Sequence, residues 1–273
     1  MPASPIGAVL YLHGIQSHSQ WFIASAQRLA DAGFAVLLPD RRGSGRNDIE
    51  RGHAGSARRL MRDAAEYLDE LHVRCDFDRF HVVGVSWGGK WALAMQRQMP
   101  DRIASLTLVA PGLFSQVDLP LWSKIKVALC GLFNRRCLFD IPLNDPTLFT
   151  GDTHKQAFIR DDPLALRQVT SSFLLTSRKL DGYARNVGRR KVGPPMRVFL
   201  AGEDRIIDNH KTKQFIRHLD WPTREISEYS RAQHTLEFEP DPEPYFKELV
   251  DWLKEANRIS GAVTQSCQFR PHS

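Results

Sequence analysis

Ser86 sits in Gly84-Val85-Ser86-Trp87-Gly88, a G-x-S-x-G spacing that falls between an apolar run and a helical pattern. A serine on such a strand-to-helix turn is held in a strained backbone with its hydroxyl at the carboxyl edge of a sheet. Gly84 and Gly88 then leave room where side chains would meet the neighbouring helix and strand, and Gly89 adds more. The phosphate-cradling patterns GxGxxG and GxxxxGK[ST] do not fit this segment. A serine hydroxyl is a weak nucleophile at neutral pH and needs a base, which in turn needs a carboxylate to orient it. Both follow in chain order. Asp204 comes after an apolar strand and the turn Gly202-Glu203, and His234 lies in Arg231-Ala232-Gln233-His234-Thr235-Leu236, a loop before the last helical pattern. Asp208, just before a helix, is better explained as its N-cap, and Glu203 is expected to point away. For the oxyanion of an acyl-transfer intermediate, the backbone N–H groups of Trp87 and Ile15 are the candidate donors. His13 is expected to fix its loop by hydrogen bonds and His18 to anchor the helix that follows. Such chemistry requires neither a metal nor an organic cofactor.

The elements that position these groups alternate strictly at first. Strands are expected at Ile6–Leu12, Phe34–Leu38, Phe80–Val85 and Ile103–Ala110, with helices at Trp21–Ala32, through Leu60 to Leu71, and at Trp87–Gln98. Short apolar runs bounded by turn residues suit buried parallel strands, and the alternation predicts a parallel sheet with helices on both faces. From about Pro111 to Val192 no clear strand is read. Helical patterns dominate there, around Leu121–Phe133 and Leu164–Leu175. The rhythm returns with a strand Met196–Ala201, a helix Asn209–Leu219, a strand Arg224–Tyr229 and a last helix Pro244–Ala256, after which Ile259–Ser273 reads as a frayed tail.

With these motifs together the sequence resembles the α/β-hydrolases of the monoacylglycerol lipase, lysophospholipase and serine aminopeptidase group, over nearly the whole chain. The resemblance rests on Leu12-His13-Gly14-Ile15 with His18-Ser19, Pro39-Asp40-Arg41-Arg42-Gly43-Ser44-Gly45, Gly84 to Gly89, Gly202 to Asp208, and His234 to Glu239. It implies an α/β-hydrolase fold with Ser86 as nucleophile, Asp204 as acid, His234 as base, Ile15 and Trp87 as oxyanion donors, and Glu239 as a structural residue. The domain expected is 1–258, with core segments 1–111 and 193–258, a helical cap 112–192 and a flexible tail 259–273. The chain departs from the group twice. Twelve residues before the His-Gly turn cannot hold the usual antiparallel strand pair, so the pair is expected to be absent, with either a shortened sheet edge or a true start that lies upstream. Trp87 stands where methionine is common, so a bulkier pocket beside the nucleophile is expected. Within the cap, Leu119, Leu121, Trp122, Ile125, Val127, Leu129, Leu132, Phe133 and Phe139 form either an apolar entrance and lipid-docking surface or a plain cover for the core.

Composition narrows the rest. The 273 residues are 42% hydrophobic and 25% charged, ordinary for a globular protein, and no apolar run reaches the length of a membrane span. The net charge of +6 is spread among interspersed acids. Its one dense run, Arg185, Arg189, Arg190 and Lys191 beside Gly193-Pro194-Pro195, reads as a solvated linker and not as a nucleic-acid surface. Cys75, Cys130, Cys137 and Cys267 lack CxxC spacing, which argues against a disulfide framework or a zinc ribbon, and no leader pattern precedes the first strand, so a cytoplasmic location is expected. The reading is a serine hydrolase of carboxylic esters, most of all lipophilic ones such as a monoacylglycerol or lysophospholipid, with possible peripheral membrane contact through the cap. Its alternatives are an esterase, thioesterase or peptidase on a non-lipid substrate, and a ligand-binding homologue without catalysis. An aspartate at position 86 would have favoured dehalogenation or epoxide opening; serine does not.

Overall fold

A computed structural model of the chain describes residue 2, residues 4–189 and residues 193–268. Six strands, β1 (Gly7–Leu12), β2 (Phe34–Leu37), β3 (Phe80–Val85), β4 (Ile103–Val109), β7 (Met196–Ala201) and β8 (Arg224–Tyr229), form one sheet in the order β2-β1-β3-β4-β7-β8. Every neighbouring pair is parallel. The four central apolar runs are buried on both faces, which is why they read as continuous and not alternating. Polar residues inside them find partners: the buried His81 bonds Ser105 Oγ at 2.8 Å, and Trp252 Nε1 donates to Thr107 Oγ1 at 2.8 Å.

Helices α1 (Ile23–Asp31) and α8 (Glu243–Gln268) touch one another over one face of the sheet, and α2 (Ala57–Cys75) touches α3 (Trp87–Gln98) over the other. Helix α7 (Asn209–Arg217) joins β7 to β8. Ser56 and Asp208 cap α2 and α7 by accepting the N–H groups of Arg59 and Lys211. Helix α8 continues past Ala256 to Gln268, so Ile259–Gln268 is helical and not a frayed tail. Within this stretch Ser260 is buried against the sheet, its hydroxyl bonding Ala104 O at 3.0 Å. Residues 269–273, the rest of the expected tail, fall outside the described residues.

Between β4 and β7 lies the cap, built of α4 (Leu121–Phe133), β5 (Leu138–Asp140), α5 (Thr153–Asp161), β6 (Gln168–Thr170) and α6 (Ser171–Arg185). The antiparallel pair β5–β6 corrects the expectation of helices alone. The apolar stretch Leu164–Leu175 splits: Val169 and Thr170, both β-branched, enter β6, and Thr170 Oγ1 then caps α6 by accepting Phe173 N–H. Arg185, grouped with a linker in the sequence, ends α6, while Arg190, Lys191 and Val192 lie outside the described residues. On α4, Leu121, Trp122, Ile125, Leu129, Leu132 and Phe133 are exposed, whereas Val127 and, on β5, Phe139 are buried. No helix among the described residues is long and apolar enough to cross a membrane. Leu106→Ala on β4, at a fully buried site between β3 and β7, is expected to cost about 2–5 kcal/mol in urea denaturation.

Candidate active site

Ser86 joins β3 to α3 with φ 52° and ψ −118°, a left-handed backbone that costs a non-glycine residue energy. Neighbouring peptides over-determine it. Its N–H donates to Val109 O at 2.8 Å, and its carbonyl accepts Gly89 N–H at 2.9 Å and Gly112 N–H at 2.7 Å. A Cβ on Gly84 would stand 2.6 Å from Gly88 O, and one on Gly88 would collide with the carbonyl of Leu12, so both positions require glycine.

Asp204 follows β7, and its side chain is fully buried. One carboxylate oxygen accepts the N–H groups of Ile206 and Ile207 at 2.8 and 2.9 Å, while the other accepts from His234 Nδ1 at 2.8 Å. Among the described residues Nε2 has no hydrogen-bond partner and is the free nitrogen of the ring. Phe149 from the cap stacks edge-on to the imidazole, and Glu239 Oε1 accepts Gln233 N–H at 3.0 Å, fixing the loop just before it. Ser86 and His234 border one cavity, although among the described residues no hydrogen bond joins them. The cavity is only about 20 Å³, room for about one water molecule, with Trp21, Phe22, Leu143 and Phe149 among its walls.

Ile15 lines the same cavity, and neither its backbone N–H nor that of Trp87 donates to a protein acceptor among the described residues. Trp87 corrects an expectation. Its indole does not line the cavity; it is buried between α3 and α6, stacked on Phe173 with Nε1 donating to Ser177 Oγ at 2.9 Å. His13 is a packed structural residue: Nε2 accepts Arg41 N–H and Nδ1 bonds Gly14 O, with burial and the Arg41 charge driving its pKa down to about 3. His18 Nδ1 accepts Gln20 N–H, capping a short 3-10 turn before α1, and Nε2 bonds Asp162 of the cap at 2.8 Å.

Sequence reasoning missed Arg41. Its side chain is almost wholly buried and donates to Gly14 O at 2.6 Å and Ile15 O at 2.5 Å, under the faces of Trp87 and Phe173. Among the described residues it has no ion-paired carboxylate, and burial lowers its pKa to about 9. Because a trans peptide points its C=O and N–H in opposite directions, the bond to Gly14 O turns Ile15 N–H away from the guanidinium. No local pattern singles Arg41 out: the neighbouring Arg42, in the same polar loop, pairs with Asp63 on α2.

The family model of serine aminopeptidases, S33, matches residues 3–241. The chain belongs to this family of α/β-hydrolases. A 2-hydroxy-6-oxononadienedioate/2-hydroxy-6-oxononatrienedioate hydrolase from Cupriavidus pinatubonensis is 25% identical over 90% of this chain and 86% of its own length. Among solved structures, the Paleococcus ferrophilus monoacylglycerol lipase superposes with a TM-score of 0.84 at 22% identity, covering 93% of this chain and 96% of that one. A soluble variant of the Saccharomyces cerevisiae monoglyceride lipase gives 0.74 at 20% identity, covering 93% and 88%. These superpositions agree with a mostly parallel sheet covered by helices in this hydrolase.

Glu237, three residues beyond His234, ties this loop to α1 through Ser25 N–H at 3.0 Å and Ser25 Oγ at 2.6 Å. Burial pushes its carboxyl up to about 7, against the donors of Ser25. A raised acid pKa means the native state holds a proton the unfolded chain has released, so stability is full below about pH 4.5 and falls as pH rises through 7. Glu237→Gln is expected to flatten this part of the profile, read as the pH dependence of Tm between pH 5 and 8, with the wild type losing more on going to alkaline pH.

Proposed function

We propose that the protein is a serine hydrolase of carboxylic esters, with lipophilic esters of the monoacylglycerol or lysophospholipid kind as its substrates. The observation that carries the reading is the Asp204–His234 hydrogen bond at 2.8 Å beside a strained, glycine-flanked Ser86 on the same cavity. Ser86 Oγ attacks the ester carbonyl carbon while His234 Nε2 takes its proton. Asp204, bonded to Nδ1, holds the tautomer and stabilises the imidazolium. The oxyanion is received by the N–H groups of Ile15 and Trp87, both free of protein acceptors among the described residues. His234 returns the proton to the departing alkoxide as the C–O bond breaks. In the second half His234 takes a proton from water as it attacks the acyl carbonyl, then gives it to Ser86 Oγ as the acyl C–O bond breaks, releasing the carboxylic acid and a restored Ser86.

A cavity of about 20 Å³ holds no acyl chain, so productive binding requires Leu143 and Phe149 of the cap to yield. The cap is pinned nearby by Thr235 N–H to Phe149 O at 2.8 Å and by His18 to Asp162. The exposed apolar face of α4 beside Lys124 and Lys126 supports peripheral contact with a lipid surface, the source of such substrates. The free thiols of Cys75, Cys130 and Cys137 fit a reducing, cytoplasmic compartment.

Fluorophosphonate labelling of the wild type, lost in Ser86→Ala, tests the nucleophile, and p-nitrophenyl esters from acetate to palmitate test the substrate. A rate optimum at medium or long chains is expected. Labelling with no chain preference would keep the hydrolase and remove the lipid ester, and absence of labelling in folded wild type would overturn the reading. Arg41→Met frees the Gly14 and Ile15 carbonyls and with them the Ile15 N–H. It is expected to lower kcat by at least about tenfold with little change in KM, since loss of an oxyanion donor outright costs about 10²–10³.

A further inference from the structure

A second cavity, of about 560 Å³, lies between the loop after β4, Lys90 of α3, the cap helices α4 and α6, and Lys211 of α7. It shares no lining residue with the cavity at Ser86. Its floor is the back of the nucleophile turn: Gly112, which lines it, donates to Ser86 O at 2.7 Å, and a Cβ there would stand 3.1 Å from Trp87 N. The volume is in the range of sites for small organic ligands.

The wall is two-sided. Leu119, Val127, Leu174 and Leu175 supply an apolar half. The other half carries five basic side chains against two acidic ones, Asp118 and Asp181. Asp181 serves two cations, Lys90 at 2.6 Å and Arg178 at 3.8 Å. Lys124 pairs with Asp118, and Lys211 reaches Asp208 at 2.9 Å, a carboxylate already occupied in capping α7. Arg185 has no carboxylate partner among the described residues; it leans over Phe114 and makes only a long contact to Leu113 O at 3.5 Å. Burial holds the Lys90 ammonium below its ordinary pKa, and the nearby charges of Arg185 and Arg178 add to the shift. Positive charge in excess of its counter-charges, concentrated in a concave surface with an apolar half, attracts anions and gives them a place for a hydrocarbon tail. Guanidinium groups at the rim suit the planar or tetrahedral oxygens of a carboxylate or phosphate.

We propose that this cavity is a binding site for an anionic amphiphile, a carboxylate or phosphate head on a single alkyl chain, separate from the site at Ser86. The head lies among Arg185, Lys211 and Lys124, and the chain lies along Val127, Leu174 and Leu175. Occupancy neutralises the crowded cations and joins α3 to α4 and α6 through one ligand. The site does not depend on the ester reading, because binding needs no turnover.

The test is calorimetric titration of Ser86→Ala protein, which cannot consume an ester, with decanoate, decyl phosphate and decan-1-ol below their aggregation limits. One anion per chain is expected, at least about tenfold tighter than the alcohol and weakening with salt. The double variant Arg185→Gln/Lys211→Gln, checked for an unchanged melting transition, is expected to lose about tenfold in anion affinity while its affinity for the alcohol stays the same. Val127→Trp, which fills the apolar half, is expected to abolish binding of all three. Preference for decanoate marks a fatty-acid ligand and preference for decyl phosphate a phospholipid-derived one; either supports the proposal. Equal binding of the three, no anion binding, or an unaltered anion affinity in the double variant overturns it. The last result would assign the amphiphile to the exposed face of α4 or to the Ser86 cavity.

Discussion

The left-handed backbone at Ser86 is the constraint on which the other parts depend. It is held by three hydrogen bonds, one from its own N–H to the end of β4 and two to its carbonyl from α3 and from Gly112. Such a conformation survives only where packing leaves no alternative, so β1, β3 and β4 must sit in parallel register close beneath α3. Glycine at 84 and 88 follows from the approach of α3 to β3 and to the end of β1. The loops after β7 and β8 carry the other two chemical residues to the same carboxyl edge of the sheet.

Much of this was legible from residue order. The strand-to-helix transition at Gly84–Gly88, the carboxylate after Met196–Ala201 and the histidine after Arg224–Tyr229 are local patterns, and parallel topology converts each into a position on one edge. Asp208 was readable as a cap because its spacing to Lys211 is itself local. What sequence could not show depends on partners far along the chain. Strands β5 and β6 are three residues each and exist through mutual pairing, too short for any periodicity. The helix around Ser260 is seated on β4 through its hydroxyl, a contact across 156 positions of chain. Trp87 next to a nucleophile suggests a pocket wall, yet α6 supplies a stacking face and an acceptor that draw the indole elsewhere.

Arg41 illustrates the same limit in energetic terms. A charged side chain in a polar loop reads as solvated, and burying one without a carboxylate is costly. Here carbonyl oxygens and two aromatic faces take the place of water, so the cation is stabilised by dipoles and quadrupoles and not by a counter-ion. The cap contributes one of those faces, Phe173, which ties the geometry of the His-Gly turn to the seating of α6.

The position of the cap within the chain also bears on the order in which the molecule assembles. Strands β1 to β4 are joined by ordinary crossovers and carry Ser86, whereas the pairing of β4 with β7 closes a loop that contains the entire cap. The entropy of closing that loop grows only with the logarithm of its length, so what sets it apart is that the whole cap is synthesised between its two strands. In a chain made from its amino terminus, β1 to β4 and Ser86 emerge first, and Asp204 and His234 arrive with the last strands. During synthesis on a ribosome, the nascent chain exposes the edge of β4 until β7 emerges, so this edge is where a chaperone has most to protect.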